Sequence, residues 1–347
     1  MLGVGLIGGS IGMAARERAG AHVTGHGRSP ERLGRAVELG AIDTAAASIE
    51  EALEGADACF CCAPVGALPG QIAAALAAAP ADCVVSDVGS VKRSVAEGVE
   101  DERFVGGHPV AGAETAGVEH ARAELFDGAT WYLTPSERSS GLLLERLHRL
   151  VVALGARPAA LDAETHDRLL AAVSHLPHVL ANVLVAGAAG HGELPRAGPS
   201  FRDATRVAGA NSGIWADIYL ANRVAIAGEI DAAAGRLQAV AKALRSADRE
   251  AVIAWNEDAR EANERLLAAA GPGGPVAELR LTVPNRPGIV AQVALALGKA
   301  GVNIVDMALA PASDMRSGAM TVWVSGAEEA SRAGALIEAL GFPVAKA

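Results

Sequence analysis

The feature that most confines this chain is a run of glycines at its start, Gly3-Val4-Gly5-Leu6-Ile7-Gly8, which leads through Gly9-Ser10 into a helical stretch to about Arg18. Glycines at G-x-G-x-x-G spacing between a strand and a helix make a tight turn, admit a pyrophosphate to the backbone and pack helix on strand. The helix N-terminus supplies free N–H groups to the phosphates. A strand of about five residues is the norm before such a turn, and only Met1-Leu2 stands there. The expectation is a sheet whose first strand is truncated, through a start placed too far downstream or a shortened chain, so that the central strand is missing and cofactor affinity suffers. Met1 to Ala15 is apolar like a signal peptide but has no basic leading region, and its glycines fit the nucleotide turn better.

The next hundred residues fit a Rossmann-like domain. His22-Val23-Thr24-Gly25-His26 has the pattern of a second strand, and a helix is expected from Pro30 through Leu39. An acidic residue at the end of that strand holds the adenosine ribose of NAD. Here Gly27 occupies the position with Arg28 and Ser29 beside it. Losing a carboxylate and gaining a guanidinium suits a 2′-phosphate, so the cofactor is NAD or NADP with a lean to NADP; otherwise Arg28 merely stacks on adenine. Residues 56–65 and 82–92 each read as a buried strand with a loop, and Phe104-Val105 as the end of another. Continuous apolar strands alternating with helices are what a parallel sheet needs. Loops at the carboxyl ends of its strands line the ligand crevice, which gathers Pro64, Ser90 and His108. The predicted cofactor contacts are Gly3, Gly5, Leu6, Ile7, Gly8, Arg28, Ser29, Pro64 and Ser90. In Gly106-Gly107-His108-Pro109 the glycines allow close approach, the proline stiffens the exit, and the histidine can exchange a proton near neutral pH.

At 347 residues the chain has room for two or three domains. Hydrophobic residues make up 51% and aromatics only 3%, which favours an aliphatic α/β or α-helical interior over a β-sandwich. A net charge of −10 argues against nucleic acid as the main partner. Cys59, Cys61, Cys62 and Cys83 fit neither metal spacing nor a disulfide framework, and read as buried thiols of a reducing cytoplasm. No uninterrupted apolar run looks long enough to span a membrane. No metal is expected.

The expected division is 1–158 as the Rossmann-like domain, 159–271 as an all-α domain, and 276–347 as a small α+β domain beyond the linker Gly271-Pro272-Gly273-Gly274-Pro275. The middle part recurs in Ala, Leu and Val at helical spacing. Ser174 and His178 are four apart, hence on one helix face, with Asn182 a turn further and Pro177 kinking the helix or opening a new one. Arg206 offers a guanidinium that can grip a carboxylate through two hydrogen bonds, or can pair with Asp203. The last part reads βαββα: strands near 277–283, 302–305 and 320–324, a helix to Ala300 and another near 328–340.

Several stretches together resemble the prephenate/arogenate dehydrogenases. They are Gly5-Leu6-Ile7-Gly8-Gly9-Ser10, Asp87-Val88-Gly89-Ser90-Val91-Lys92, Gly107-His108-Pro109-Val110-Ala111-Gly112-Ala113-Glu114 and Trp131-Tyr132-Leu133-Thr134-Pro135. Ser174-His175-Leu176-Pro177-His178, Phe201-Arg202-Asp203-Ala204-Thr205-Arg206 and Trp215 continue the likeness. The resemblance implies NAD(P)-dependent oxidative decarboxylation of prephenate to 4-hydroxyphenylpyruvate on the way to tyrosine, with arogenate to tyrosine as the sister reaction. It implies His108 as the base and Ser90 as the group orienting the hydroxyl and nicotinamide. Ser174, His178, Arg206 and Trp215 fall to substrate binding, and Glu114 to organising or gating the site. It also implies a cytoplasmic homodimer paired through the helical domain. Arg286-Pro287-Gly288 and Gly301-Val302-Asn303-Ile304 resemble an ACT domain, which implies L-tyrosine as effector near Pro287, Gly288, Asn303 and Ile304. Two other possibilities remain at this point. One is a β-hydroxyacid dehydrogenase, for which Lys242 is the sole candidate lysine in the helical part. The other is a non-catalytic amino-acid sensor with a degenerate Rossmann half, which the truncated first strand favours.

Overall fold

The computed structural model describes residues 1–112, 115–190, 198–269, 276–284, 286–312 and 317–346. The first part contains strands β1 (Thr24–Gly25), β2 (Thr44–Ala45), β3 (Ala58–Cys61), β4 (Val84–Asp87), β5 (Phe104–Pro109), β6 (Thr130–Thr134) and β7 (Arg157–Ala160). β3 to β7 lie side by side in sequence order, and β1 pairs with β2 in parallel. Leu2 joins the two sets by bridging His26 on one side and Cys61 on the other, both in parallel. Its N–H donates to the Phe60 carbonyl at 2.9 Å, its carbonyl accepts from Cys62 N–H at 2.8 Å, and His26 N–H donates to the Met1 carbonyl at 2.8 Å. The first strand is therefore truncated to Met1-Leu2, as expected, but the central place in the sheet is not missing, because Leu2 pairs on both sides. Two residues suffice because neighbours on both sides pair their backbone groups and Leu2 is wholly buried. The resulting order, β2-β1-Leu2-β3-β4-β5, is that of a Rossmann domain. The apolar N-terminal stretch is helix Leu6–Ala19 of this domain, with Ile11 and Ala14 in its core.

β5 departs from the sequence reading. It continues through Gly106-Gly107-His108-Pro109, so this stretch is strand rather than turn, and it pairs antiparallel with β6, placing His108 opposite Tyr132. The sheet is mixed, not parallel throughout. The glycines admit neighbouring strands rather than a ligand: a Cβ on Gly107 would lie 2.6 Å from the Asp87 carbonyl oxygen, and one on Gly106 would collide with Thr134 Oγ1.

The middle part is helical as expected. A continuous helix from Ala163 to Ala189 is followed by Pro199–Thr205, Ser212–Ala221, Arg223–Arg245 and Arg249–Ala269. The first of these is long and apolar enough to cross a membrane by length and composition, which corrects the expectation that no run reaches that length. Its first turns carry buried His166, Asp167, His175 and His178, and these face the Rossmann domain and the helix Ser212–Ala221. Large apolar side chains nevertheless stand exposed along the helical part, among them Val183, Leu220, Leu237 and Val224, the last 77% exposed.

The last part forms an antiparallel sheet of β8 (Val276–Pro284), β9 (Ile304–Pro311), β10 (Ser317–Ser325) and β11 (Val344–Lys346) in the order β11-β8-β10-β9, with helices Ile289–Lys299 and Ala327–Ala339. β11 adds a strand to the expected pattern, which becomes βαββαβ, a split-βαβ fold. This module shares a core with the Rossmann domain, where Leu144, Leu147 and Val151 pack with Val290, Val293 and Met307. Backbone approaches closely at two glycines. A Cβ on Gly298 would run into the Ala160 carbonyl and one on Gly288 into that of Glu137, while Gly288 N–H donates to the Ser139 carbonyl at 3.0 Å. Of the expected effector residues, Pro287 lines a cavity of about 150 Å³ between module and Rossmann domain. Gly288 is taken up by docking, Asn303 is exposed and Ile304 buried; none of the three lines that cavity. The predicted linker 271–275 lies outside the described residues.

His148 sits in this shared interface, 2% exposed, with Asp306 of β9 at 3.8 Å. Burial lowers its pKa to about 4 despite the opposing pull of Asp306. An unfolded histidine titrates near 6.5, so between pH 6.5 and about 4 the unfolded chain takes up a proton that the folded chain refuses. Stability is whole above pH 6.5 and declines as pH falls through that window, by roughly 3 kcal/mol from this residue. The urea midpoint is expected to drop accordingly, and His148→Phe to drop less; equal acid sensitivity in both would contradict this origin.

Candidate active site

The glycine turn divides its labour as a dinucleotide needs. Gly3 has φ +96°, in the left-handed region, and turns the chain from Leu2 toward the helix. Gly8 packs on that turn so closely that a Cβ would collide with the Gly3 carbonyl oxygen. Gly5, by contrast, caps the helix Leu6–Ala19 and faces open space, with nothing within 4 Å of where its Cβ would stand. A turn with one glycine at positive φ, one packed and one facing an opening fits a pyrophosphate over the helix N-terminus. Leu6 and Ile7 open that helix and are half-buried. Ser29 caps the helix Pro30–Glu38, accepting from Arg32 N–H at 3.3 Å, and Arg28 is exposed beside it. Pro64 stands three residues beyond β3 and Ser90 three beyond β4, at the same carboxyl edge of the sheet.

His108, at the end of β5, is only 8% exposed. Its Nδ1 lies 2.8 Å from His166 Nε2, and its Nε2 makes no hydrogen bond among the described residues. His166 Nδ1 lies in turn 2.8 Å from Asp167 Oδ1. Asp167 accepts the backbone N–H of Lys92 at 2.7 Å and of Arg93 at 3.0 Å, which ties the helical domain to the loop carrying Ser90. Beneath it the Lys92 ammonium is buried, paired with Asp87 and donating to the Gly107 carbonyl at 2.6 Å. Burial pushes the His108 pKa well below the ordinary histidine value, and His166 and Lys92 push it further the same way. The imidazole is thus neutral at pH 7 and able to accept a proton.

A second cluster closes the cleft from the helical side. The helix makes a π-turn over Ala171–His175, where Leu176 N–H reaches the Ala171 carbonyl, and Pro177 stands in the first turn of the α-helical segment that follows, where its missing N–H costs least. His178 stacks on Trp215 with ring centroids 3.5 Å apart and planes 5° apart, and His175 meets the same indole edge-on at 6.1 Å. Tyr219 O–H and Asn182 meet His178 Nδ1, the latter at 3.2 Å. Burial lowers the pKa of His178, and takes that of His175 to about 4. Ser174 is half-buried beside them. Arg206 is exposed and opens the turn Arg206–Gly209, whose Val207 backbone faces His178. Glu114 lies outside the described residues. His166, Asp167 and His175 are site residues that the sequence reading missed. Their signal was an ionisable run inside an otherwise apolar helix.

A nucleotide turn and a neutral buried imidazole at the same carboxyl edge of the sheet, with a helical domain packed against that edge, are the arrangement expected of a nicotinamide-nucleotide dehydrogenase. Residues 11–159 match the nucleotide-binding domain of prephenate dehydrogenase and residues 162–257 its dimerization domain. Among curated relatives, the prephenate dehydrogenase of Bacillus subtilis is 28% identical over 98% of this chain and 95% of its own. The cyclohexadienyl dehydrogenase of Zymomonas mobilis is 32% identical over 77% of this chain and 94% of its own. The crystal structure of Aquifex aeolicus prephenate dehydrogenase in complex with hydroxyphenyl propionate and NAD+ superposes with a TM-score of 0.70 at 29% identity, covering 76% of this chain and 96% of that one. Synechocystis arogenate dehydrogenase gives 0.68 at 25% identity, covering 76% and 98%. This chain belongs to the prephenate dehydrogenase family, and it is an oxidoreductase.

Proposed function

We propose that the protein oxidises and decarboxylates prephenate to 4-hydroxyphenylpyruvate, with His108 as the base. The observation that carries this is the neutral, buried His108 imidazole with an uncommitted Nε2 at the sheet edge where Gly5 opens. NAD+ held over Gly3, Gly5 and Gly8 supplies the hydride acceptor. His108 takes the hydroxyl proton as the carbon beneath it is oxidised, and Ser90 orients the same hydroxyl. Carbon dioxide leaves readily because the ring becomes aromatic, so the protein's task is orientation and charge matching. Arg206 and His178 hold the substrate carboxylates, with Ser174 and the Trp215 indole completing that wall. Incubating the protein with prephenate and NAD+ is expected to yield NADH and 4-hydroxyphenylpyruvate, identified by chromatography. The same assay with arogenate and with NADP+ sets the preferences, where Arg28 favours NADP+. Failure of both substrates would overturn the assignment.

The competing readings lose support. The sensor reading rested on the truncated first strand, whose remaining Leu2 still bridges both neighbours and keeps the sheet continuous. Lys242 is exposed near the end of the long helix Arg223–Arg245, without a motif to recruit it for hydroxyacid chemistry. The exposed apolar side chains of the helical part suit a second copy of the chain, in keeping with the dimerization domain matched by residues 162–257. A cytoplasmic homodimer of 35.0 kDa chains is the expected form, its mass checked by sedimentation.

We further read the module 276–347 as an ACT domain that takes L-tyrosine. The βαββαβ order supports this, as does the cavity lined by Arg286, Pro287, Ile289 and Val290 of the module and by Glu102 and Leu142 of the Rossmann domain. It offers a cation, an anion and an apolar wall. Leu142→Trp at its rim is expected to abolish tyrosine inhibition while leaving the uninhibited rate within about twofold. Unchanged inhibition would argue against the cavity as the site.

A further inference from the structure

We propose that His166 and Asp167 are positioning residues that lock the tautomer of His108, leaving its Nε2 bare to receive the substrate's proton; this rests on His108 being the base. Donor and acceptor logic carries the inference. Asp167 Oδ1 accepts the Lys92 backbone N–H at 2.7 Å and Oδ2 that of Arg93 at 3.0 Å, so both oxygens serve as acceptors. His166 Nδ1 stands 2.8 Å from the same Oδ1. It must carry its hydrogen there, since a bare nitrogen would set lone pair against lone pair. Burial keeps the His166 ring neutral at pH 7, and its Nε2 is then an acceptor. That nitrogen lies 2.8 Å from His108 Nδ1, which therefore donates. A neutral imidazole with its hydrogen on Nδ1 has its lone pair on Nε2. The reverse arrangement would put an unprotonated His166 Nδ1 against a carboxylate.

The lock is anchored from several sides. Asn222 Nδ2 donates to the Asp167 carbonyl at 2.8 Å and lies 3.2 Å from His175 Nδ1. Tyr132, opposite His108 across the β5–β6 pair, packs its ring edge-on against His166 at 5.5 Å. When His108 takes a proton on Nε2, its Nδ1–H remains on His166, and the new charge is backed by the carboxylate beyond. A histidine held in the right tautomer by a carboxylate partner is a known device. Here one more ring is interposed, so the carboxylate sits further from the anionic substrate that the site must admit.

The test combines ring nitrogen spectroscopy with kinetics. In the ¹⁵N-labelled full-length protein without substrate, long-range ¹H–¹⁵N correlations assigned by difference from His108→Asn are expected to show His108 in the Nδ1–H form. His166→Leu is expected to release that form, and to lower kcat by about 10²-fold with KM changed by less than about threefold. His166→Gln, whose amide oxygen can accept the same hydrogen bond, is expected to restore the Nδ1–H form and recover about tenfold of the lost kcat. A wild-type His108 in the Nε2–H form overturns the proposal, whether or not the variants fold, and so does an unchanged kcat in His166→Leu. Failure of the base assignment looks different: His108→Asn turns over normally while the wild-type tautomer is still Nδ1–H.

Discussion

His108→Asn is expected to lower kcat by about 10³-fold while prephenate binds nearly as tightly as to the wild type. The asparagine can keep a polar contact with His166 but has no nitrogen lone pair with which to take a proton. Burial and the neighbouring His166 and Lys92 hold the His108 pKa low, and only the neutral ring acts as base. The wild-type kcat/KM is therefore expected to stay level from pH 8 down through 6.5, failing only in more acid solution as His108 is protonated. A variant retaining a tenth of wild-type turnover, or a wild-type profile already falling at pH 7.5, would count against His108 as the base.

The second large effect separates two glycines of one turn. Gly8→Ala sets a methyl group against the Gly3 carbonyl, which is backbone and cannot rotate away. Overpacking of this kind costs about 1–3 kcal/mol, and the melting temperature is expected to fall by several degrees with or without cofactor. Gly5→Ala meets nothing in the protein within 4 Å, so its melting temperature is expected to match the wild type while NAD+ affinity falls at least about tenfold, because the methyl group occupies the pyrophosphate's approach. Thermal shift and cofactor titration together check this. Equal melting losses in both variants would mean that Gly5 serves the fold and not the ligand.

These two sites show what the residues themselves disclose. The glycine spacing is a local signal, as is a histidine between Gly107 and Pro109, and both led to the cleft. The central strand was hidden because a two-residue strand has no periodicity; Leu2 is a strand only by virtue of Phe60, Cys62 and His26 on either side. His166 was hidden because its partner is 58 residues away, across a domain junction. The π-turn at Ala171–His175, which brings His175 and His178 to one indole, is likewise a tertiary outcome. Nothing local marks Gly288 or Gly298 as docking positions, since the carbonyls that require them belong to Glu137 and Ala160, far away in the chain. Helical period and strand alternation marked each part of the chain, but contacts between parts have no local trace.

The most direct test of the assigned reaction is the stoichiometry of turnover with carboxyl-labelled prephenate and NAD+, following labelled carbon dioxide and NADH together. The wild type is expected to release one carbon dioxide for each NADH it forms, and His108→Asn to form both about 10³-fold more slowly. Tight NAD+ binding without turnover, or NADH formed without carbon dioxide, would contradict the assignment.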